Sequence, residues 1–311
     1  MITEPVLILR QLSKHYGRRV ALGRVELHVS NGEVVGLIGP NGAGKTTLIE
    51  CAIGITPPTS GSANIMGYNT WTQHGLAARH YGVQFQTTQL APFTRVSDTF
   101  WFYRRALTKC DDPRVLCAEF GLEERHYRSY FKTLSDGEKR RVLIALAFLG
   151  DPMVVLLDEP TAGMDPSARS RFWDSVRRRR DAGQSIVCSS HDLEDMDLNC
   201  DRVVFLVDGS IRAIGNVDDI IRQYDAFMTY VIGADEPKFL LDRLSNSMSG
   251  MDNVVWFGCV QGRVFIITSK PLSHSTLAQV MKPIEIHDQF SRRSNLQDIY
   301  HLCMDARRKP L

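Results

Sequence analysis

Gly39-Pro40-Asn41-Gly42-Ala43-Gly44-Lys45-Thr46-Thr47, directly after the apolar run Val34 to Ile38, constrains this chain more than any other stretch. It fits G-x-x-x-x-G-K-[ST] and predicts a buried strand, a tight loop and a helix running from Lys45 to about Ile53. A triphosphate must be approached by several backbone N–H groups at once, and Gly39, Gly42 and Gly44 let the backbone come that close. Lys45 adds a point charge for the β- and γ-phosphates, and the helix turns its positive N-terminus on the anion. The Thr46 hydroxyl suits Mg²⁺. A glycine-rich strand-to-helix turn that binds nothing is the plain alternative, and the rest of the chain decides between the two.

Met153-Val154-Val155-Leu156-Leu157-Asp158-Glu159-Pro160 is an apolar strand with two carboxylates at its tip. Strands apolar on both faces belong to parallel sheets covered on both sides. Beside a phosphate loop such acids divide the labour, Asp158 ordering a Mg²⁺ shell and Glu159 acting as general base on a water.

Ser135-Asp136-Gly137-Glu138 forms a capping box that starts a helix through Lys139-Arg140-Arg141 into the apolar run Val142 to Leu149, and Pro152 stops it. Ala162-Gly163-Met164-Asp165-Pro166 is a turn into a helix carrying Arg177 to Arg180. That arginine run reads as a solvated helix face ahead of a lipid or RNA contact. Three further residues each admit two readings. Tyr16, just upstream of the loop, fits a base-stacking platform or half-buried packing. Gln86, at the end of Tyr81 to Gln86, fits a Mg²⁺ ligand or a solvated loop residue. His191, ending the apolar strand from Ile186, fits a γ-phosphate contact or a structural role.

Charge and composition exclude several classes. With a net charge of +2, 43% hydrophobic and 23% charged residues, the chain is no bulk-charge binder of nucleic acid. No run approaches the roughly 18 apolar residues of a membrane span, so the chain is expected not to cross a bilayer. Met1-Ile2-Thr3-Glu4-Pro5 lacks the basic and apolar regions of a secretory signal, and a cytoplasmic location follows as the expectation. The seven cysteines are scattered without a C-x-x-C pair and read as free thiols in a reducing compartment. The histidines show no ligand spacing with them, and no structural metal is expected.

The chain divides by period. Residues 1–222 alternate strands and helices after an antiparallel β-arm at 6–9 and 20–29, specifying an α/β domain with a helical insert at about 87–150. In that insert Phe100-Trp101-Phe102-Tyr103 cannot all face one core, which leaves aromatic surface for a partner. Residues 223–311 read as strand 227–232, helix 236–247, strands 253–259 and 263–268, helix 274–281, strand 284–288 and helix 295–304. This is a small α+β domain in the split, ferredoxin-like order.

With these residues in place, the chain resembles the ATP-binding subunits of ABC transporters over about residues 4–222. The motifs stand in order: the aromatic Tyr16, the Walker A loop Gly39 to Thr47, the Q-loop Gln86, a signature at Leu134 to Glu138, Walker B at Met153 to Asp158 with Glu159, a D-loop at Ala162 to Asp165, and the switch histidine His191. The resemblance implies a P-loop NTPase fold that binds ATP with Mg²⁺ held by Thr46, Gln86 and Asp158, Glu159 and His191 being catalytic. It further implies two cassettes head to tail, as a homodimer or heterodimer, each ATP lying between one Walker A loop and the other chain's Ser135 and Gly137. Integral membrane permease subunits are the implied partners, placing the chain at the inner face of the membrane, and no nucleic acid is expected. A soluble ABC-type ATPase that remodels a ribosome or another complex is the alternative. The signature departs from L-S-G-G-Q at Asp136 and Glu138, and a carboxylate beside a phosphate is repulsive, which implies a slow or asymmetric site. The wording at 163–166 and the tail Asn295-Leu296-Gln297-Asp298-Ile299-Tyr300 are similar to drug-exporter and A-subfamily ATPases.

Overall fold

The computed structural model describes residues 5–107, 110, 112–248, 251–282 and 284–305; the opening Met1 to Glu4, on which the targeting expectation rests, lies outside them. Contacts divide the chain into two compact units, Met1–Arg212 and Ala213–Leu311.

The first unit begins with the arm, β1 (Leu7–Tyr16) and β2 (Arg19–Val29), paired antiparallel. Next come β3 (Val34–Ile38), buried at every position, and α1 (Lys45–Ala52). β4 (Ser60–Ile65) and β5 (Tyr68–Asn69) complete the arm in the order β2-β1-β4-β5. α2 (His74–Ala77) and β6 (Tyr81–Gln84) precede the helical insert. The insert holds α3 (Val96–Arg104), α4 (Pro113–Glu119), α5 (Glu124–Arg128) and the start of α6 (Asp136–Ala147). β7 (Val154–Asp158), α7 (Pro166–Asp181), β8 (Ser185–Ser190), α8 (Leu193–Asn199), β9 (Arg202–Val207) and β10 (Ser210–Gly215) follow. The second sheet has the order β10-β9-β3-β8-β7-β6.

The neighbours from β9 to β6 run parallel, and β3, β8 and β7 are buried at every position, as continuous apolar runs covered on both faces require. Between arm and sheet lies one core, where Leu48, Ile49 and Cys51 of α1 pack with Leu7, Leu9, Val35, Leu37 and Leu156. At the sheet's far edge Gly82 lies so close under α6 that a Cβ there would sit 1.6 Å from the Ala147 carbonyl oxygen. Helix and strand therefore meet backbone to backbone, which only glycine allows.

In α3, Phe100 is fully buried while Trp101, Phe102 and Tyr103 stand exposed, together with Phe93. Three of the four arginines in the α7 run are ion-paired rather than simply solvated. Arg177 engages Asp174 at 2.6 Å, Arg178 the Ser175 hydroxyl at 3.0 Å, Arg179 both oxygens of Glu119 at 3.1 and 2.6 Å, and Arg180 Asp201 at 3.0 Å.

The second unit contains α9 (Val217–Gln223), β11 (Met228–Ala234), α10 (Pro237–Met248), β12 (Val254–Val260), β13 (Arg263–Thr268), α11 (His274–Met281), β14 (Ile286–Arg293) and α12 (Leu296–Met304). Its sheet has the order β12-β13-β11-β14 with every neighbour antiparallel, the split β-α-β-β-α-β arrangement. Leu240, Leu244 and Met248 of α10 pack on Tyr230, Ile232, Val264 and Ile266. β14 extends to Arg293, five residues beyond its expected end at 288, because its polar second half is held by backbone pairing with β11 rather than by an apolar pattern. Asp298 at the start of α12 is wholly buried against Arg292, at 2.5 Å.

Candidate active site

The parallel register sets the site. Leu37 and Ile38 of β3 stand level with Ser189 and Ser190 of β8, and Asp158 of β7 stands level with Ser189, so three strands deliver their C-terminal ends to one edge. Ligands of open α/β sheets bind outside such ends. Gly39 leaves β3 beneath the Leu206 carbonyl oxygen, which a Cβ would approach to 2.2 Å, and Gly44 caps α1 at φ 105, in the left-handed region. The α1 cap has no side-chain hydrogen bond, so the first N–H groups of the helix are left to whatever the loop holds.

Lys45 is buried and donates from Nζ to the Gly39 oxygen at 2.7 Å and the Pro40 oxygen at 3.3 Å; Glu159 Oε1 lies 4.0 Å away. Burial pulls its ammonium below the ordinary lysine range, while Glu159 and Asp158 act in the opposite sense. The Thr46 hydroxyl donates to Asp158 Oδ2 at 2.7 Å, and the Ser189 hydroxyl donates to Oδ1 at 2.5 Å. Both oxygens of this buried carboxylate are thus held by hydroxyl groups. Ser189 also accepts the Glu159 N–H at 2.9 Å, and Arg140 donates to the Glu159 carbonyl oxygen. These bonds hold Glu159 at φ 52, a conformation that side-chain-bearing residues adopt at some cost. His191 Nδ1 meets Glu159 Oε2 at 2.8 Å, with a ring 73% exposed.

The structure thus gathers Lys45, Thr46, Asp158, Glu159 and His191 into one connected set. Gln86 is exposed and lines a cleft with Thr46 and Asp158. Gly42, at φ 82, would bring a Cβ only into ordinary contact with the Arg19 guanidinium, at 3.7 Å, and Asn41 and Thr47 lie in the same loop and helix start. Tyr16 ends β1 half exposed, with the Lys14 ammonium 4.9 Å over its ring, and no hydrogen bond ties it to the loop. Ser135 and Gly137 are not brought to this set. Ser135 caps α6 and bonds with Glu138, its N–H donating to Glu138 Oε2 at 2.8 Å. Of the two unusual signature residues, Asp136 is fully exposed and paired with Lys139 at 3.1 Å, while Glu138 is turned to Ser135 and to the buried His126 at 3.0 Å.

Sequence reasoning missed Ser189, Arg140, His126 and Gln84. A serine pair inside a buried strand was the available signal for Ser189. Gln84 is buried at the end of β6, its Nε2 donating to the Phe85 oxygen at 2.8 Å and its Oε1 without a hydrogen-bond partner. The donors fit a hard divalent cation that keeps part of its water shell: a hydroxyl, a carboxylate and an exposed amide, with an orphaned acceptor in Gln84 beside them. Among the described residues no group of three or more His, Cys, Asp or Glu forms a metal cluster, and none is needed for such an ion.

Comparison with known proteins gives the family of the chain. The family described as ABC transporter matches residues 22–162. The phospholipid-transporting ATPase ABCA3 of Rattus norvegicus is 36% identical over 217 residues, 68% of this chain and 13% of that protein. The Nod factor export ATP-binding protein I of Rhizobium etli is 34% identical over 214 residues, 68% of each chain. This chain therefore spans about an eighth of the first of these relatives and two thirds of the second. A solved ATP binding subunit of an ABC transporter is 32% identical with a TM-score of 0.66, covering 70% of this chain and 93% of that one. The dimeric cassette MJ0796, at 23% identity and a TM-score of 0.63, shares the fold over 68% of this chain.

Proposed function

The chain belongs to the ABC transporter family and carries its ATPase cassette, and from that premise we propose that it powers export by separately encoded membrane subunits. One observation carries the proposal. A continuous hydrogen-bonded path runs from Thr46 through Asp158 and Ser189 to Glu159 and His191, with Lys45 buried beside it.

Lys45 and the N–H groups of Gly42, Gly44, Lys45 and Thr46 take the β- and γ-phosphates of ATP. Mg²⁺ would be held by Thr46, Asp158 and Gln86, and when bound it neutralises charge on the phosphates. Glu159 accepts a proton from the attacking water as general base, and His191, bonded to its Oε2, orients the carboxylate. Ser189 fixes Asp158 by its side chain and Glu159 by its backbone, so both acids stay aimed at one edge of the sheet. Tyr16 stacks on the base. Ser135 and Gly137 cover the ATP of a second cassette, identical or different, and closure and reopening of the pair do the mechanical work.

No helix among the described residues is long and apolar enough to cross a membrane, so transport needs a partner that does. The exposed aromatic residues Phe93, Trp101, Phe102 and Tyr103 of the helical insert support such an interface. The names of the relatives, a transporting ATPase and an export ATP-binding protein, support the exporter reading, and a place at the inner face of the membrane belongs to the same proposal. Tagged purification from detergent-solubilised native membranes tests it. A polytopic membrane protein recovered in stoichiometric amount supports the proposal; recovery in the soluble fraction on ribosomes or another complex would replace it with a remodelling ATPase.

A further inference from the structure

Glu138 stands where the resemblance implies glutamine, and its surroundings give a reason. Its Oε2 accepts the Ser135 N–H at 2.8 Å, and its Oε1 lies 3.0 Å from His126 Nε2. The other ring nitrogen, Nδ1, accepts the Glu123 N–H at 2.8 Å. An Nδ1 that accepts carries no proton, so the neutral ring bears its hydrogen on Nε2 and donates it to Glu138. Two N–H donors therefore converge on two separate oxygens. A carboxylate accepts both, whereas a carboxamide has one acceptor oxygen and would turn its NH₂ toward one of the donors. His126 is buried in α5, and the ring is held at both nitrogens.

We infer that His126 is the positioning residue of the signature turn: together with Glu138 it forms a matched pair that fixes Ser135 and Gly137 and keeps the Glu138 charge occupied inside the insert. This rests on the proposal that Ser135 and Gly137 cover ATP across a cassette pair. Asp136, fully exposed, takes no part in it.

The test uses the full chain in a Glu159→Gln background, with ATP-driven dimer formation followed by light scattering and monomer ATP binding by calorimetry. His126→Leu and Glu138→Gln should each raise the ATP concentration for half-maximal dimer roughly tenfold, about what one charge-assisted hydrogen bond is worth. The double variant should be no worse than either single one, since both remove the same link. His126→Gln, whose amide can still donate, should restore most of the dimer, and monomer ATP binding should stay at the parental value in all four variants. Parental dimer formation by His126→Leu, or His126→Gln as poor as His126→Leu, overturns the inference. Should the parent itself form no ATP-dependent dimer, the pairing proposal fails instead, and ¹⁵N-histidine NMR then decides. A neutral Nε2–H ring at His126 whose resonances shift in Glu138→Gln supports the pair, and unmoved resonances refute it.

Discussion

Ser189→Ala removes one hydroxyl from the centre of the site. In the native protein that hydroxyl donates to Asp158 Oδ1 and accepts the Glu159 N–H, at 2.5 and 2.9 Å, in a strand with no exposed residue. A hydrogen bond to a charged group is worth about 1.5–3 kcal/mol, and a buried N–H left without an acceptor costs about 1–3 kcal/mol. Ser189→Ala should therefore destabilise by about 2.5–6 kcal/mol if the site stays dry. The loss falls to about 1–2 kcal/mol if a water replaces the hydroxyl. Either is a large fraction of the roughly 5–15 kcal/mol that holds a domain folded. Urea unfolding followed by tryptophan fluorescence reads the effect, since Trp71, Trp101 and Trp173 all lie in the N-terminal unit. The midpoint should fall with the slope unchanged. A loss below about 0.5 kcal/mol, the size of an ordinary surface substitution, would show that Asp158 and Glu159 are held by something other than Ser189.

Glu159→Gln should lower ATP turnover by about 10²–10⁴-fold while ATP binding is kept, the usual worth of a general base; parental turnover in an ATPase assay would remove Glu159 from that role. Burial beside Trp256 and Phe265 holds the His301 imidazole below its ordinary range, outweighing Asp298, which acts in the opposite sense. The unfolded chain then binds more protons than the folded one, so the C-terminal unit should lose stability as pH falls from the ordinary histidine value of 6.5 through the lower folded one. Melting curves read by Trp256 fluorescence should show that slope in the parent and a flatter one in His301→Phe, and equal slopes would contradict it.

The site was legible in the sequence wherever its chemistry is local. The phosphate loop, the Ser135 capping box and the Asp158-Glu159 tip are each written in a few consecutive residues, and backbone geometry carries them into place. What stayed hidden depends on chain crossings. Ser189 meets Asp158 across 31 residues and Arg140 meets Glu159 across 19, and nothing near either residue announces the partner. The arginine run shows the same limit, because four like charges in a row read as a solvated face until Glu119 and Asp201, distant in sequence, are placed beside Arg179 and Arg180. In the C-terminal unit the element order was readable from periodicity, whereas the end of β14 was not, since pairing with β11 and not hydrophobic alternation holds its last residues. Turn residues of the signature were legible, but the reason for Glu138 was not, because His126 sits on a separate helix.

The backbone contact between Gly82 and Ala147 has a mechanical meaning. With no side chain between them, α6 and β6 approach as closely as two backbones can at this end of the helix, which would make the contact the fulcrum of any tilt of α6. The signature turn is at the other end, from Ser135 to Ala147, a reach of about 18 Å at 1.5 Å per residue. A tilt of about ten degrees about the fulcrum swings Ser135 through roughly 3 Å, about one hydrogen-bond length. A rigid rod on such a pivot converts a small rotation at the sheet into the making or breaking of contacts at its tip.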